Sequence, residues 1–189
     1  MGNAGAAGPQ LVKTGQILRG RFTLNRQLAG FAKPLRSEGS FSLIPGRGLI
    51  WHAQTPFENV TVITSDGVST RVNGQETMRL PAARMPGIGH LYEVLGGAVS
   101  GNVALLQQDF SVNRTTDAAG WHLVLTPLHP DTLTISQIGS LAVAGHRFVE
   151  SIEIDKAGGD VDRMSFVGQT VETALPTAEE RALLESLHK

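Results

Sequence analysis

Cysteine is absent from this chain of 189 residues. That excludes disulfides, thiolate nucleophiles and Cys-ligated metals. Long apolar runs are also missing: no stretch reaches the roughly 18–20 residues a membrane-spanning helix needs. The net charge is only −1, and no basic block interleaved with aromatics marks a nucleic-acid platform. Met1–Pro9 is small and Gly/Ala-rich, with neither a charged start nor a Leu-rich core, so no export signal is visible. Catalytic and metal motifs are equally scarce. The six histidines (His52, His90, His122, His129, His146, His188) show no His-x-His, His-x-x-x-His or His-Glu-x-x-His spacing. Gly97-Ala98-Val99-Ser100-Gly101 lacks the spacing and setting of a nucleophile elbow. Pro45-Gly46-Arg47-Gly48 and Gly87-Ile88-Gly89 do not fit a phosphate loop. Asp155, Asp160 and Asp162 flank Gly158-Gly159 and read as an acidic hairpin rather than a calcium loop, which wants alternating ligands on a frame of about 12 residues.

What is present is β patterning with 41% hydrophobic residues, enough for a single domain over 11–189 behind a flexible lead over 1–10. Leu18–Gln27 alternates through Leu18, Phe22 and Leu24. From Phe22 to Val72 short alternating runs follow one another at Ser37–Ile44, Leu49–Thr55, Val60–Thr64 and Val68–Val72. Turn clusters separate them at Pro45-Gly46-Arg47-Gly48, Gln54-Thr55-Pro56-Phe57 and Ser65-Asp66-Gly67. Such period-2 runs punctuated by Gly, Pro and Asp-Gly predict an antiparallel meander with one apolar face and the other in water. Gln10–Ile17 leans weakly helical. At Thr77 the period changes, and Ile88, Leu91, Tyr92, Leu95 and Val99 recur at helical spacing. A short second helix falls in Gly101–Gln108. Strands resume at Asp109–Arg114, Trp121–Pro127, Ser140–Val143, Arg147–Ile154 and Val161–Val167, with a weak helix from Asp131 or Thr132 to Ile138 between them. Thr177 opens a Thr-x-x-Glu capping box with Glu180, ahead of an apolar stripe of Leu183, Leu184 and Leu187.

The chemistry-bearing feature is therefore apolar surface. Phe22, Leu24, Phe41, Leu43, Leu49, Trp51, Val60 and Val62 are expected to share strand faces, and Leu91, Leu95 and Val99 to cover them from the Pro81–Gln108 segment. Either this face is a filled core under a helix, or a curved sheet that does not close leaves a concave pocket for an apolar ligand.

These residues resemble a known family. Arg21-Phe22-Thr23 with Gln27, Ser37-Glu38-Gly39-Ser40-Phe41, Gly48-Leu49-Ile50-Trp51, Thr55-Pro56 and Thr64-Ser65-Asp66-Gly67 are similar in order to motifs of the outer-membrane lipoprotein carrier (LolA) superfamily. Leu123-Val124-Leu125-Thr126-Pro127, Ile152-Glu153-Ile154-Asp155 and Met164-Ser165-Phe166 extend the likeness to Gln169. The resemblance implies a mainly β fold with α: a curved antiparallel sheet forming an unclosed β-barrel covered by a helical lid. It implies a non-enzymatic periplasmic monomer, its export signal missing from this sequence. Such a protein needs no cofactor and binds no nucleic acid. It would carry lipid or acylated protein cargo from an inner-membrane donor to an outer-membrane acceptor. The departures point to a divergent member. The carrier's lid-latching Arg precedes a cavity aromatic; here Arg47 is out of register and Leu49 stands for the aromatic. The alternative is a non-enzymatic binding or sensor module of the same fold, with a filled cavity and a protein partner.

Overall fold

The computed structural model describes residues 9–84, 96–129 and 138–188. Its strands are β1 (Ile17–Gln27), β2 (Leu35–Ile44), β3 (Gly48–Thr55), β4 (Asn59–Thr64), β5 (Gly67–Val72), β6 (Gln75–Pro81), β7 (Phe110–Asp117), β8 (Gly120–Pro127), β9 (Ile138–Gly145), β10 (Val149–Lys156) and β11 (Val161–Glu172). All belong to one antiparallel sheet in the order β6-β5-β4-β3-β2-β1-β11-β10-β9-β8-β7. Each half is a meander of hairpins, and the β1–β11 pairing joins them from Ile17↔Glu172 to Gln27↔Val161. The sheet does not close, because β6 and β7 remain its two edges. It is an unclosed β-barrel with helical cover.

The helical pieces are residues 96–100, α1 (Val103–Leu106) and α2 (Ala178–Glu185), with 3₁₀ turns at Ala82–Arg84 and Ser186–His188. The expected first crossover helix is thus seen only in its last residues, since Ile88, Leu91, Tyr92 and Leu95 lie outside the described residues. So do the lead as far as Gly8 and nearly all of the weak helix expected before Ile138. Gln10–Ile17 is not helical up to Gln16. Instead the Gln10 N–H donates to Arg147 O and the Val12 N–H to Ser100 O, which tie this strap across the barrel end.

β6 is the strand that sequence reading missed. Its Gln75, Glu76, Thr77 and Met78 are exposed, so an edge strand with little to bury has no apolar alternation to announce it. Its hairpin was legible: Asn73 (φ 51°) and Gly74 (φ 75°) both take positive φ, as a two-residue turn matched to strand twist requires.

Cross-strand partners share a face, and the registers sort the core into two layers. The inner layer gathers Leu18, Phe22, Phe41, Leu43 and Leu49 from one half and Trp121, Leu123, Leu125, Leu141, Val143 and Ile152 from the other. The outer layer is smaller: Ile17, Ile44, Ile50 and Val62, capped by Leu184 and Leu187. The outer face was expected to lie in water, but over β2–β4 it is covered by α2. The reason is local. Gly48 has no side chain, and a Cβ there would lie 2.5 Å from Leu184 Cδ2, so the helix packs directly on the β2–β3 turn.

The expected capping box starts α2: the Glu180 N–H donates to Thr177 Oγ1 at 3.1 Å, and the Thr177 N–H to Glu180 Oε2 at 2.8 Å. The same carboxylate receives Arg19 Nε and Nη2 from β1 at 3.2 and 2.8 Å. Burial pushes the Glu180 carboxyl up, but the Arg19 guanidinium and the Thr177 N–H outweigh it, and its pKa lies below the ordinary value. A depressed carboxyl pKa contributes stability above the unfolded value, about 4.3 for Glu, and loses it as pH falls through the folded value. We predict that Glu180→Gln destabilises the protein in urea unfolding at pH 7. The gap to wild type should close as the pH drops below 4.

Candidate functional site: the inner face

The inner face is built row by row. On it lie Leu18↔Leu43↔Leu49↔Ile63, then Gly20↔Phe41↔Trp51↔Thr61, then Phe166↔Phe22↔Gly39↔Ala53, then Met164↔Leu24↔Ser37. Four rings meet at its centre. Phe22 and Trp51 lie 3.8 Å apart, Phe41 meets Phe166 edge-on at 5.3 Å, and Trp51 meets Phe166 edge-on at 6.1 Å. Offset and edge contacts of this kind stabilise beyond plain area burial. Gly20 makes the cluster fit: a Cβ there would lie 2.8 Å from the Phe41 ring.

Burial falls along the strands. At the end holding the β2–β3 and β9–β10 turns, Leu18 (0% exposed) and Leu43 (1%) are sealed. Ala98, Val99 and Leu106 of the crossover join the same cluster, along with Val12. In the middle Phe22 is still buried, at 2%. Leu24, Trp51 and Met164 are only half-buried. At the far end Leu35, the cross-strand partner of Arg26, is 60% exposed. This gradient belongs to the β1–β3 side; across β8–β11 the row of Arg26 stays covered, with Ile154 8%, Leu141 2% and Leu125 0% exposed.

At the β1–β11 rim a charged group joins the row that Ile154, Leu141 and Leu125 continue across the other strands. Arg26 Nε and Nη2 donate to the two Asp162 oxygens at 2.8 and 2.9 Å, and Lys156 Nζ donates to Asp162 Oδ2 at 2.8 Å. Burial alone pushes the Asp162 carboxyl up. The bonds from Arg26 and Lys156 override it, so its pKa sits below the ordinary range.

Of the residues singled out from sequence, Phe22, Leu24, Phe41, Leu43, Leu49, Trp51 and Val99 come together on this face. Val60 and Val62 do not. Ile50 pairs with Val62 and His52 with Val60, which places both valines in the outer layer under α2. The loop before β4 sets this parity, and alternation within a strand does not reveal it. Leu91 and Leu95 lie outside the described residues. The second wall went unassigned. Ile152, Ile154, Met164 and Phe166 alternate in β10 and β11, and that parity was the available signal. Asp162 was read only as part of an acidic hairpin, and Arg26 was passed over because a charge at the end of an apolar alternation reads as a solvated strand end.

Other candidates resolve into ordinary pairs. His52 meets Glu58 at 3.0 Å, His122 meets Asp117 at 3.3 Å and His146 meets Glu150 at 3.1 Å. Among the described residues no cluster of His, Asp and Glu could hold a metal. Asp160 accepts the Ala29 N–H and Asp155 the Ser140 hydroxyl. Arg47 lies 4.0 Å from Glu185 at the end of α2, on the outer side, and not at the inner crossover.

The family described as outer membrane lipoprotein carrier protein LolA-like matches residues 9–188. The chain belongs to this family. Solved structures similar in fold to this LolA-like protein include the LolA superfamily protein NE2245 from Nitrosomonas europaea. It is 11% identical, with 88% of this chain and 90% of that chain covered and a TM-score of 0.48. A putative outer membrane lipoprotein-sorting protein domain from Vibrio parahaemolyticus is 9% identical, with 93% and 92% covered and a TM-score of 0.45. The MucA/MucB complex of Pseudomonas aeruginosa gives 12% identity, 87% and 54% coverage and a TM-score of 0.38. No curated protein matches the chain.

The Arg47 geometry gives a clear expectation. Exposed ion pairs contribute little, so Arg47→Ala should change unfolding free energy by less than about 0.5 kcal/mol. It should also leave uptake of an apolar probe unaltered. A probe-binding defect in that variant, read by fluorescence titration, would restore a latch role for Arg47.

Proposed function

We propose that this LolA-like protein is a periplasmic carrier that takes lipid or lipoprotein acyl chains onto its inner face for transfer toward the outer membrane, without covalent chemistry. The observation that carries this reading is the uneven cover of the inner face: Leu24, Trp51 and Met164 are only half-buried beside the buried Leu18, Phe22 and Leu43. Membership of the family supports the periplasmic setting, and no described helix is long and apolar enough to cross a membrane. Each methylene buried contributes about 0.8 kcal/mol, so eight methylenes supply about 6 kcal/mol toward holding a chain. Nothing in the described site assembles an acid, a base and a nucleophile, so binding and release are the chemistry proposed.

The half-buried positions test this. Leu24→Glu and Trp51→Glu should each weaken uptake of a fluorescent fatty-acid probe about tenfold or more, the equivalent of losing 1.4 kcal/mol or more, while circular dichroism stays native. Organic extraction and mass spectrometry of the purified protein should yield an acyl ligand. Unchanged uptake in both variants, with nothing extracted, would remove the carrier reading. A binding or sensor module acting through a protein partner would then stand in its place.

A further inference from the structure

We infer that Arg26 and Lys156, bridged by Asp162 at the open rim, form the seat for an anionic headgroup of the amphiphile whose chain lies on the inner face. This rests on the carrier reading and adds the ligand's polar end.

Position is the first support. The registers Ile154↔Asp162, Asp162↔Arg26 and Arg26↔Leu35 place the group on the same face as Met164, Leu24 and Ser37, one row further out. Two residues along a strand span about 6.8 Å. A chain lying along Phe22 and Leu24 therefore brings its polar end to this row.

Donor inventory is the second support. Arg26 spends Nε and Nη2 on Asp162, which leaves its Nη1 edge without a described partner. Lys156 spends one N–H on Asp162, and an ammonium carries three. Arg26 remains 44% exposed while the Asp162 side chain is 7% exposed. The carboxylate is thus the buried bracket and the cations face the mouth. Asp160 is the fourth charge of the neighbourhood. It is tied to the Ala29 N–H and balances the group before any ligand arrives. The seat therefore acts through directed N–H groups, which bond carboxylate or phosphate oxygens strongly and geometrically, and not through net charge.

The third support is energetic. Well-packed apolar residues commonly serve stability as well as a buried ion group, and the row beneath is apolar. A charged bracket at the mouth of an apolar face is accounted for by a ligand with a charged end.

The shared chemistry is an anionic oxygen beside an acyl chain, whether from a fatty-acid carboxylate or a phospholipid phosphate. The experiment compares a fluorescent fatty acid, the matching fatty alcohol and a lysophosphatidic acid competitor, with inorganic phosphate as the chain-free anion. Removing both cations would strand Asp162, so the main variant is Arg26→Gln/Lys156→Gln/Asp162→Asn, which is uncharged and close in shape. Lys156→Gln alone keeps the Arg26–Asp162 pair and guards against a folding artefact. The wild-type chain should bind the acid about tenfold more tightly than the alcohol, as one charge-assisted hydrogen bond implies. The triple variant should lose that preference with its alcohol affinity unchanged, and Lys156→Gln should lose part of it. Lysophosphatidic acid should displace the probe and inorganic phosphate should not. Equal binding of acid and alcohol by the wild-type chain, or an unaltered preference in the variants, overturns the inference and leaves the carrier reading standing. Displacement by inorganic phosphate overturns the lipid source of the anion. Binding of neither probe by the wild-type chain overturns the carrier reading and this inference together.

Discussion

The pairing of β1 with β11 is the constraint on which the rest depends. It joins the first strand of the chain to the last in a continuous antiparallel ladder. Each half is a meander that needs only tight turns between neighbours, so this long-range pairing fixes how the halves meet. It places Phe22 beside Phe166 and Leu24 beside Met164 at the middle of the inner face. It also pushes β6 and β7 to opposite edges. The chain between them leaves one edge and must arrive at the other, so it has to pass over the concave side or around it. Ala98, Val99 and Leu106 in the inner cluster put its described part over the concave side. A cover over the concave face thus follows from strand order, before any preference of the crossover residues is considered.

The two faces of β1 then do different work. Its odd-numbered Arg19 points outward to Glu180 and fastens α2; its even-numbered Arg26 points inward to Asp162. Period-2 geometry separates the two arginines absolutely. The outer layer is tight and specific, with Gly48 admitting Leu184 and a capping box that shares its carboxylate with Arg19. The inner layer is larger and unevenly covered. The inner layer is fully packed across β8–β10, where Leu123, Leu125, Leu141 and Ile152 are buried, and less covered at Leu24, Trp51 and Met164.

Much of this was legible in the chain. Alternation in Leu18–Gln27 and Leu49–Thr55 foretold β1 and β3, and Thr177 with Glu180 foretold the start of α2. Part of what escaped has one cause: sequence carries the parity of a strand but not the parity between strands. Val60 and Val62 look like Leu49 and Trp51 in every local respect, and only the β3–β4 register puts them on the other side. β6 escaped because an exposed edge needs no apolar period. The water-facing role expected for the second face failed because α2, correctly located in the sequence, gives no local sign of where it docks. The rim group of Arg26, Lys156 and Asp162 is drawn from three strands, and its members meet only once β1, β10 and β11 are in register.

The plugged end also bears on how cargo would enter. The described part of the crossover is not a loose flap. The Val12 N–H holds Ser100 O, Ser100 Oγ donates to Gly97 O, and Gly101 lies so close to Pro9 that a Cβ would approach it to 2.5 Å. Lifting residues 96–106 would expose the buried Ala98, Val99 and Leu106, at a cost of roughly 1.5–3 kcal/mol for each large side chain returned to water. Sliding a chain in from the rim disturbs none of these, because Leu24, Trp51 and Met164 are already half-open. On the carrier reading, therefore, the low-energy route runs along the strands from the Leu35 end toward the phenylalanine cluster, tail first. The polar end is left at the row that holds Arg26 and Asp162.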